Sequence, residues 1–210
     1  MEDAEVELKL SVLGVPLLVL GGHTLSVSGK SLALVCYLAL EGTTRRGVLA
    51  DLFWSDRSEE DARRNLRREL HRLRATPLGT SLKAHDDLLS LTADLDLSAF
   101  RELSAQGDAA RAAALLRGPF LDGLDPPAAH GFSEWRERWA TELQEEQIWA
   151  LLTHAAAIGY QEPRRAAELY HRCLRLDPLR EQVHRELIGL HLRLGNTGRP
   201  RRSIWPSNAS

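Results

Sequence analysis

The chain has 210 residues, 43% hydrophobic and only 6% aromatic, which is enough for one large domain or two ordinary ones. Lys+Arg 27 against Asp+Glu 29 leaves a formal net charge of −2, so the protein is not globally basic, and any affinity for nucleic acid has to come from a local patch. Apolar runs such as Leu32–Leu40 fall short of the ~20 residues a membrane-spanning helix needs. The acidic start Met1-Glu2-Asp3-Ala4-Glu5 is the opposite of a basic secretory leader. Two distant cysteines, Cys36 and Cys173, exclude a disulfide scaffold and a cysteine zinc site. The chain is therefore expected to be soluble and cytoplasmic, without a membrane role. Of its basic residues 24 are Arg and 3 are Lys, a bias that a GC-rich genome explains, so position must carry the weight of any single arginine.

Residues 6–27 alternate weakly around Val6-Glu7-Leu8-Lys9-Leu10, turn at Gly14, run through Leu17-Leu18-Val19 and turn again at Gly21-Gly22. Glycines between runs rich in Val and Leu predict a small antiparallel sheet. Ser28 then caps a helix through the apolar run Leu32–Leu40, which closes at Gly42. Val48, Leu49, Leu52 and Phe53 predict a second, short helix from Thr44 to Trp54.

The third helix carries most of the information. Ser58 supplies the cap, and Glu59-Glu60-Asp61 suits the helix dipole. At 100° per residue, Ala62, Leu66, Leu70 and Leu73 share one narrow face. Arg64, Arg67, Arg68 and His71 cluster opposite, with Arg63, Arg72 and Arg74 at the edges. Residues 62–74 thus hold six Arg and one acid, Glu69, in a chain whose net charge is −2. Thr76-Pro77-Leu78-Gly79 stops the helix, and Leu82-Lys83-Ala84 with Leu88–Leu91 reads as a hairpin around His85-Asp86-Asp87.

Beyond Asp94 the pattern is helical only. Short helices are expected over Leu97–Ala105 and Ala109–Arg117, and a Gly/Pro/Asp-rich connector over Gly118 to Gly131. Longer helices follow over Ser133 to about Ile158, Pro163–Leu176 and Pro178–Leu194. The last of these recur near 34 residues, and counting from Gln147 places Ala166, Tyr170, Cys173 and Pro178 at tetratricopeptide-repeat positions. Residues 196–210, with two prolines and no apolar periodicity, are expected to be a disordered or shortened tail. Leu187, Ile188, Leu190 and Leu194 would then lie exposed.

Two helices, an arginine-faced third and a hairpin sum to a winged helix-turn-helix. Arginine bonds bidentately to guanine O6 and N7 and neutralises phosphates, and a helix with one buried face is the shape the major groove admits. Thr43-Thr44-Arg45-Arg46, at the start of the second helix, suits phosphate contacts. Other groupings favour ordinary structure. Trp54, Trp135 and Trp139 read as packing, His184 and His191 lack a third metal ligand, Asp122 and Asp125 suit a turn, and no phosphate loop or cofactor motif occurs.

Three segments together resemble the Streptomyces antibiotic regulatory protein family: Leu38–Gly42, then Arg45 with Leu52-Phe53-Trp54-Ser55-Asp56, then Ala62–Arg74. Asp94–Phe100, Phe120–Leu124 and Asp177–Glu181 resemble motifs of that family's helical domain. The resemblance spans about residues 6–195. It implies an α+β winged helix-turn-helix domain over 1–95 and an all-α, tetratricopeptide-like bacterial transcriptional activation domain over 96–195. It also implies activation by recruiting RNA polymerase to double-stranded DNA with promoter repeats, another copy binding the neighbouring repeat.

The expected base readers are Arg64, Arg67, Arg68 and His71. Arg45, Arg46, Arg63, Arg72 and Arg74 are expected on phosphates. Asp86 and Asp87 depart from the family's glycine-rich wing and would repel phosphate, which leaves Lys83 and His85 as the wing's basic groups. A rival reading is a protein-interaction adaptor with a degenerate DNA-binding domain. Neither reading needs a cofactor or a metal.

Overall fold

The computed structural model describes residues 7–196. Three short strands, β1 (Leu8–Ser11), β2 (Leu17–Leu20) and β3 (His23–Leu25), lead into helix α1 (Gly29–Glu41). After the two-residue β4 (Thr44–Arg45) come α2 (Arg46–Trp54) and α3 (Glu59–Arg74). A 3₁₀ turn at Pro77–Thr80 precedes the hairpin β5 (Leu82–His85) and β6 (Leu88–Leu91), followed by β7 (Asp94–Leu95). The rest is helical: α4 (Asp96–Ala105), α5 (Ala109–Leu115), α6 (His130–Ile158), α7 (Pro163–Leu176) and α8 (Glu181–Asn196). Contacts group these residues into two compact units, one through Ala150 and one from Leu151.

In the first unit the N-terminal sheet has the order β3-β2-β1-β7. Strands β1 to β3 are antiparallel, with Leu10 opposite Leu18, and β7 runs parallel to β1. The wing sheet is β4-β6-β5, with Leu82 opposite Leu91 and Thr44 opposite Leu89. The second helix therefore begins at Arg46 and not at Thr44: the backbone of Thr44 and Arg45 is engaged with β6, and a residue in a ladder is not helical.

In the same unit, Leu34 and Leu38 of α1, Leu49 and Phe53 of α2, and Leu66, Leu70 and Leu73 of α3 are essentially buried. Each such side chain contributes roughly 1.5–3 kcal/mol relative to exposure, so the three helices are held by one shared core. This is a winged helix-turn-helix.

Within the first unit, the helical residues up to Ala150 are built onto it. The Asp96 carboxylate at the head of α4 accepts from the N–H groups of Val12 (2.7 Å) and Leu13 (3.2 Å), just past β1. The Arg117 N–H donates to the Leu13 carbonyl and the Leu121 N–H to that of Val12. On α6, Phe132 stacks on Phe53 at 5.3 Å and Trp135 lies 5.0 Å from Tyr37. The indole N–H groups of Trp135 and Trp139 both donate to Glu41 Oε1, at 2.7 and 2.9 Å. Trp54 and Trp135 are buried, as packing residues should be.

The second unit pairs α7 with α8. Ala166, Leu169, Tyr170 and Cys173 form the buried face of α7, and Ala166, Tyr170 and Cys173 among them make the small–aromatic–small set of a tetratricopeptide-like pair. A Cβ on Gly159 would sit 3.1 Å from the Ala155 carbonyl oxygen and 3.9 Å from Ala166 Cβ, so small residues set that approach. On α8 the expected exposed row is only partly exposed. Leu187 and Leu190 are buried, because together with Val183 they form the stripe that closes this unit's core, whereas Ile188 and Leu192 face outward. The expected tail falls, apart from the backbone of Asn196, outside the described residues.

Candidate nucleic-acid interface

Helix α3 forms where the sequence places it. The Ser58 hydroxyl accepts from the Asp61 N–H at 3.2 Å, and Glu59, Glu60 and Asp61 occupy the first turn, where carboxylates favour the N-terminal dipole. His71, Arg72 and Arg74 lie in the last turn, where cations are favoured. Ala62, Leu66, Leu70 and Leu73 are buried, and Arg63, Arg64, Arg67, Arg68, His71, Arg72 and Arg74 are all exposed.

The arginines do not stand alike. Arg63 pairs with Glu59 at 2.6 Å, Arg64 with Asp61, and Arg72 with Glu69 at 3.1 Å. Among the described residues no carboxylate pairs with Arg67, Arg68 or Arg74. The Arg63 and Arg64 pairs are exposed on both sides and so worth only about 0.3–0.5 kcal/mol each, too little to withhold a guanidinium from a phosphate, but they do set where the side chain starts.

On one side of α3, a cleft of about 620 Å³ opens toward the wing. Arg46, Arg63 and Arg67 line it, facing Glu59, Glu60 and Asp87. Three cations against three acids leave it close to neutral. The Arg46 N–H donates to the Asp87 carbonyl at 2.8 Å, which ties the start of α2 to the wing tip. Arg45 and Lys83 are exposed, on β4 and β5. Thr44 is not available to a phosphate, since it is buried and its hydroxyl donates to the Gly42 carbonyl at 3.1 Å. At the tip His85 Nδ1 lies 3.2 Å from an Asp86 carboxylate oxygen, so the wing's second basic group faces its own acid.

Glu69 is the residue that the helical pattern underplays. It lies on the buried side of α3, 4% exposed, and its Oε1 accepts from the hydroxyls of Ser28 (2.8 Å) and Ser31. Burial pushes its carboxyl up, but the two serine hydrogen bonds and the Arg72 charge outweigh that and hold it below the usual carboxylate range. Glu69 thereby fixes α3 to the N-terminus of α1 and steers Arg72. A signal existed in the sequence, since at 100° per residue position 69 falls beside Ala62 and Leu73 rather than among the arginines.

The remaining groupings are structural. Asp125 accepts from the Ser133 hydroxyl at 3.2 Å, His184 Nε2 lies 2.9 Å from the Pro178 carbonyl oxygen, and among the described residues no His/Cys/Asp/Glu group could hold a metal. No helix among them is long and apolar enough to cross a membrane.

A family model described as the bacterial transcriptional activator domain matches residues 87–199, more than half of the chain. The chain belongs to this family. Its helical region, from the second wing strand onward, is that bacterial transcriptional activator domain, which bears out the likeness to Streptomyces antibiotic regulatory proteins. Among solved structures, Mycobacterium tuberculosis EmbR in complex with a low affinity phosphopeptide aligns with a TM-score of 0.63 at 21% identity. The alignment covers 91% of this chain and 57% of that one, so this activator-domain protein spans little more than half of EmbR's length, and the likeness speaks for the fold. No curated protein matches the sequence.

Proposed function

We propose that this activator-domain protein is a sequence-specific, double-stranded-DNA-binding regulator that works in the cytoplasm as an activator. In this reading residues 1–95 bind promoter DNA. Residues 96–195 engage RNA polymerase, and a second copy occupies a neighbouring repeat. The observation that carries the reading is the outer face of α3, where Arg67, Arg68 and His71 are exposed and without an acidic partner among the described residues, on a helix held from behind by four buried apolar side chains. Arg64, Arg67, Arg68 and His71 read base edges in the major groove. Arg45, Arg46, Arg63, Arg72, Arg74 and Lys83 contact phosphates.

The test is fluorescence anisotropy of the full chain with a duplex from its own upstream region and a scrambled duplex, from about 50 to about 200 mM salt. With about five phosphates neutralised, affinity is expected to fall on the order of 10²–10³-fold over that range, with the upstream duplex preferred. A second reading, an adaptor that has lost DNA, is favoured by Asp86 and Asp87 at the wing tip and Glu59 and Glu60 at the head of α3. Absence of binding to either duplex at the lowest salt, with a protein partner co-purifying, would establish the adaptor.

A further inference from the structure

On the side of α3 away from the wing a second cleft, of about 490 Å³, runs between α3, the first turn of α1 and the end of α2. Its charges are unequal. Each of its three acids is already engaged by an arginine: Asp56 by Arg57 at 3.3 Å, Asp61 by Arg64, and Glu69 by Arg72 at 3.1 Å. Two further cations line the cleft, Lys30 and Arg68, and neither has a carboxylate partner among the described residues. The Lys30 ammonium is held in place rather than trailing in solvent, lying 5.0 Å from the centre of the Trp54 ring, to which cations are attracted. It also belongs to the first turn of α1, where the N-terminal end of the helix dipole adds partial positive charge. Burial lowers the ammonium's pKa and the charges of Glu69 and Asp56 raise it in part, so Lys30 is a partly desolvated cation whose two nearby carboxylates are already paired with Arg72 and Arg57.

We infer that this cleft is a phosphate site for the DNA strand that borders the groove entered by α3, with Lys30 as the ligand of a backbone phosphodiester. The inference rests on the DNA-binding reading above and extends it to a residue outside the helix-turn-helix pair. A phosphodiester carries a single negative charge and tolerates an open, partly solvated cleft, which fits an excess of two cations beside a recognition helix. Arg68, sharing the cleft, adds its charge to the potential there. Because the contact is to backbone, Lys30 contributes affinity without sequence preference.

The deciding variant is Lys30→Met, which keeps an unbranched side chain of similar length and removes the charge. By anisotropy on the full chain, its log affinity against log salt should flatten by about 0.9. Its affinity for the upstream and scrambled duplexes should fall by the same factor, roughly three- to tenfold at the lowest salt. Lys30→Arg should restore both. An unchanged slope and affinity in Lys30→Met would overturn the inference while leaving DNA binding intact, as would a loss confined to the upstream duplex. Wild-type protein that binds neither duplex would overturn the DNA-binding reading and this inference together. Thermal melts confirm that each variant is folded, and Lys30→Gln replaces Lys30→Met if the latter is not.

Discussion

Glu69 and Asp86 show how single side chains shape the candidate interface. Replacing Glu69 by Ala removes the buried carboxylate that accepts from the Ser28 and Ser31 hydroxyls and the Arg72 guanidinium, and about 1–3 kcal/mol of stability should be lost in urea unfolding at neutral pH. Because the folded carboxyl titrates below its ordinary value, its contribution is complete above the usual carboxylate range and fades as pH falls through the lowered value. Glu69→Gln should therefore show a flatter stability profile below pH ~5 than the wild type. Asp86 occupies the first position of the two-residue wing turn at φ +53°, a conformation glycine adopts without strain. Asp86→Gly is expected to stabilise the fold by a few tenths to about 1 kcal/mol. In the proposed DNA-binding role it should also tighten binding to any duplex about two- to fivefold, since it removes an exposed negative charge from the wing tip. Weaker binding by this variant would argue that the acid has a positive role at the wing.

Among the elements, α3 divides its labour. Its buried stripe, its cap and its exposed arginines are all legible in residues 58–74, because they depend on spacings of three and four along one helix. The partition of those arginines into paired and unpaired ones follows from where the acids fall. Arg67→Ala with Arg68→Ala should cost about 1–3 kcal/mol per lost bidentate contact and relax sequence preference, with stability nearly unchanged because both side chains are exposed. Arg63→Ala, which removes one side of an exposed pair with Glu59, should lower affinity similarly for all duplexes without altering preference. The contact of α6 with α2 is tighter. A Cβ on Gly131 would lie 2.9 Å from the Leu52 carbonyl oxygen and 3.2 Å from Leu52 Cα, which backbone atoms cannot easily relieve. Gly131→Ala should destabilise the protein by about 1–3 kcal/mol in denaturant titration.

For the molecule as a whole, the two cysteines report on the two compact units. Cys36 in the first unit and Cys173 in the second are both fully buried, and burial raises both thiols, Cys173 to about 11. In the native protein at pH ~8 neither should react with a thiol reagent within minutes. In rising denaturant Cys173 is expected to react first. Its unit has fewer described helices to close a core, and Ile188 and Leu192 remain exposed on its last one. Simultaneous reaction of both thiols would show that the units unfold as one.

The helices, their caps at Ser28 and Ser58, the wing hairpin and the arginine face were open to reading from the chain alone, since each is written in residues a few positions apart. The likeness to an activator family was legible for the same reason, through short motifs in chain order. What only folding decides is long-range. Glu41 meets Trp135 and Trp139, Asp96 caps the end of a strand more than eighty residues earlier, and Lys30 joins Arg57 and Arg72 in one cleft. Periodicity carries no information about such partners, because it describes which face of an element is apolar and not which element that face will meet. The core makes that choice: the burial of Phe53, Leu66 and Phe132 sets the helices against one another, and the polar groups at their ends find partners where the packing leaves them.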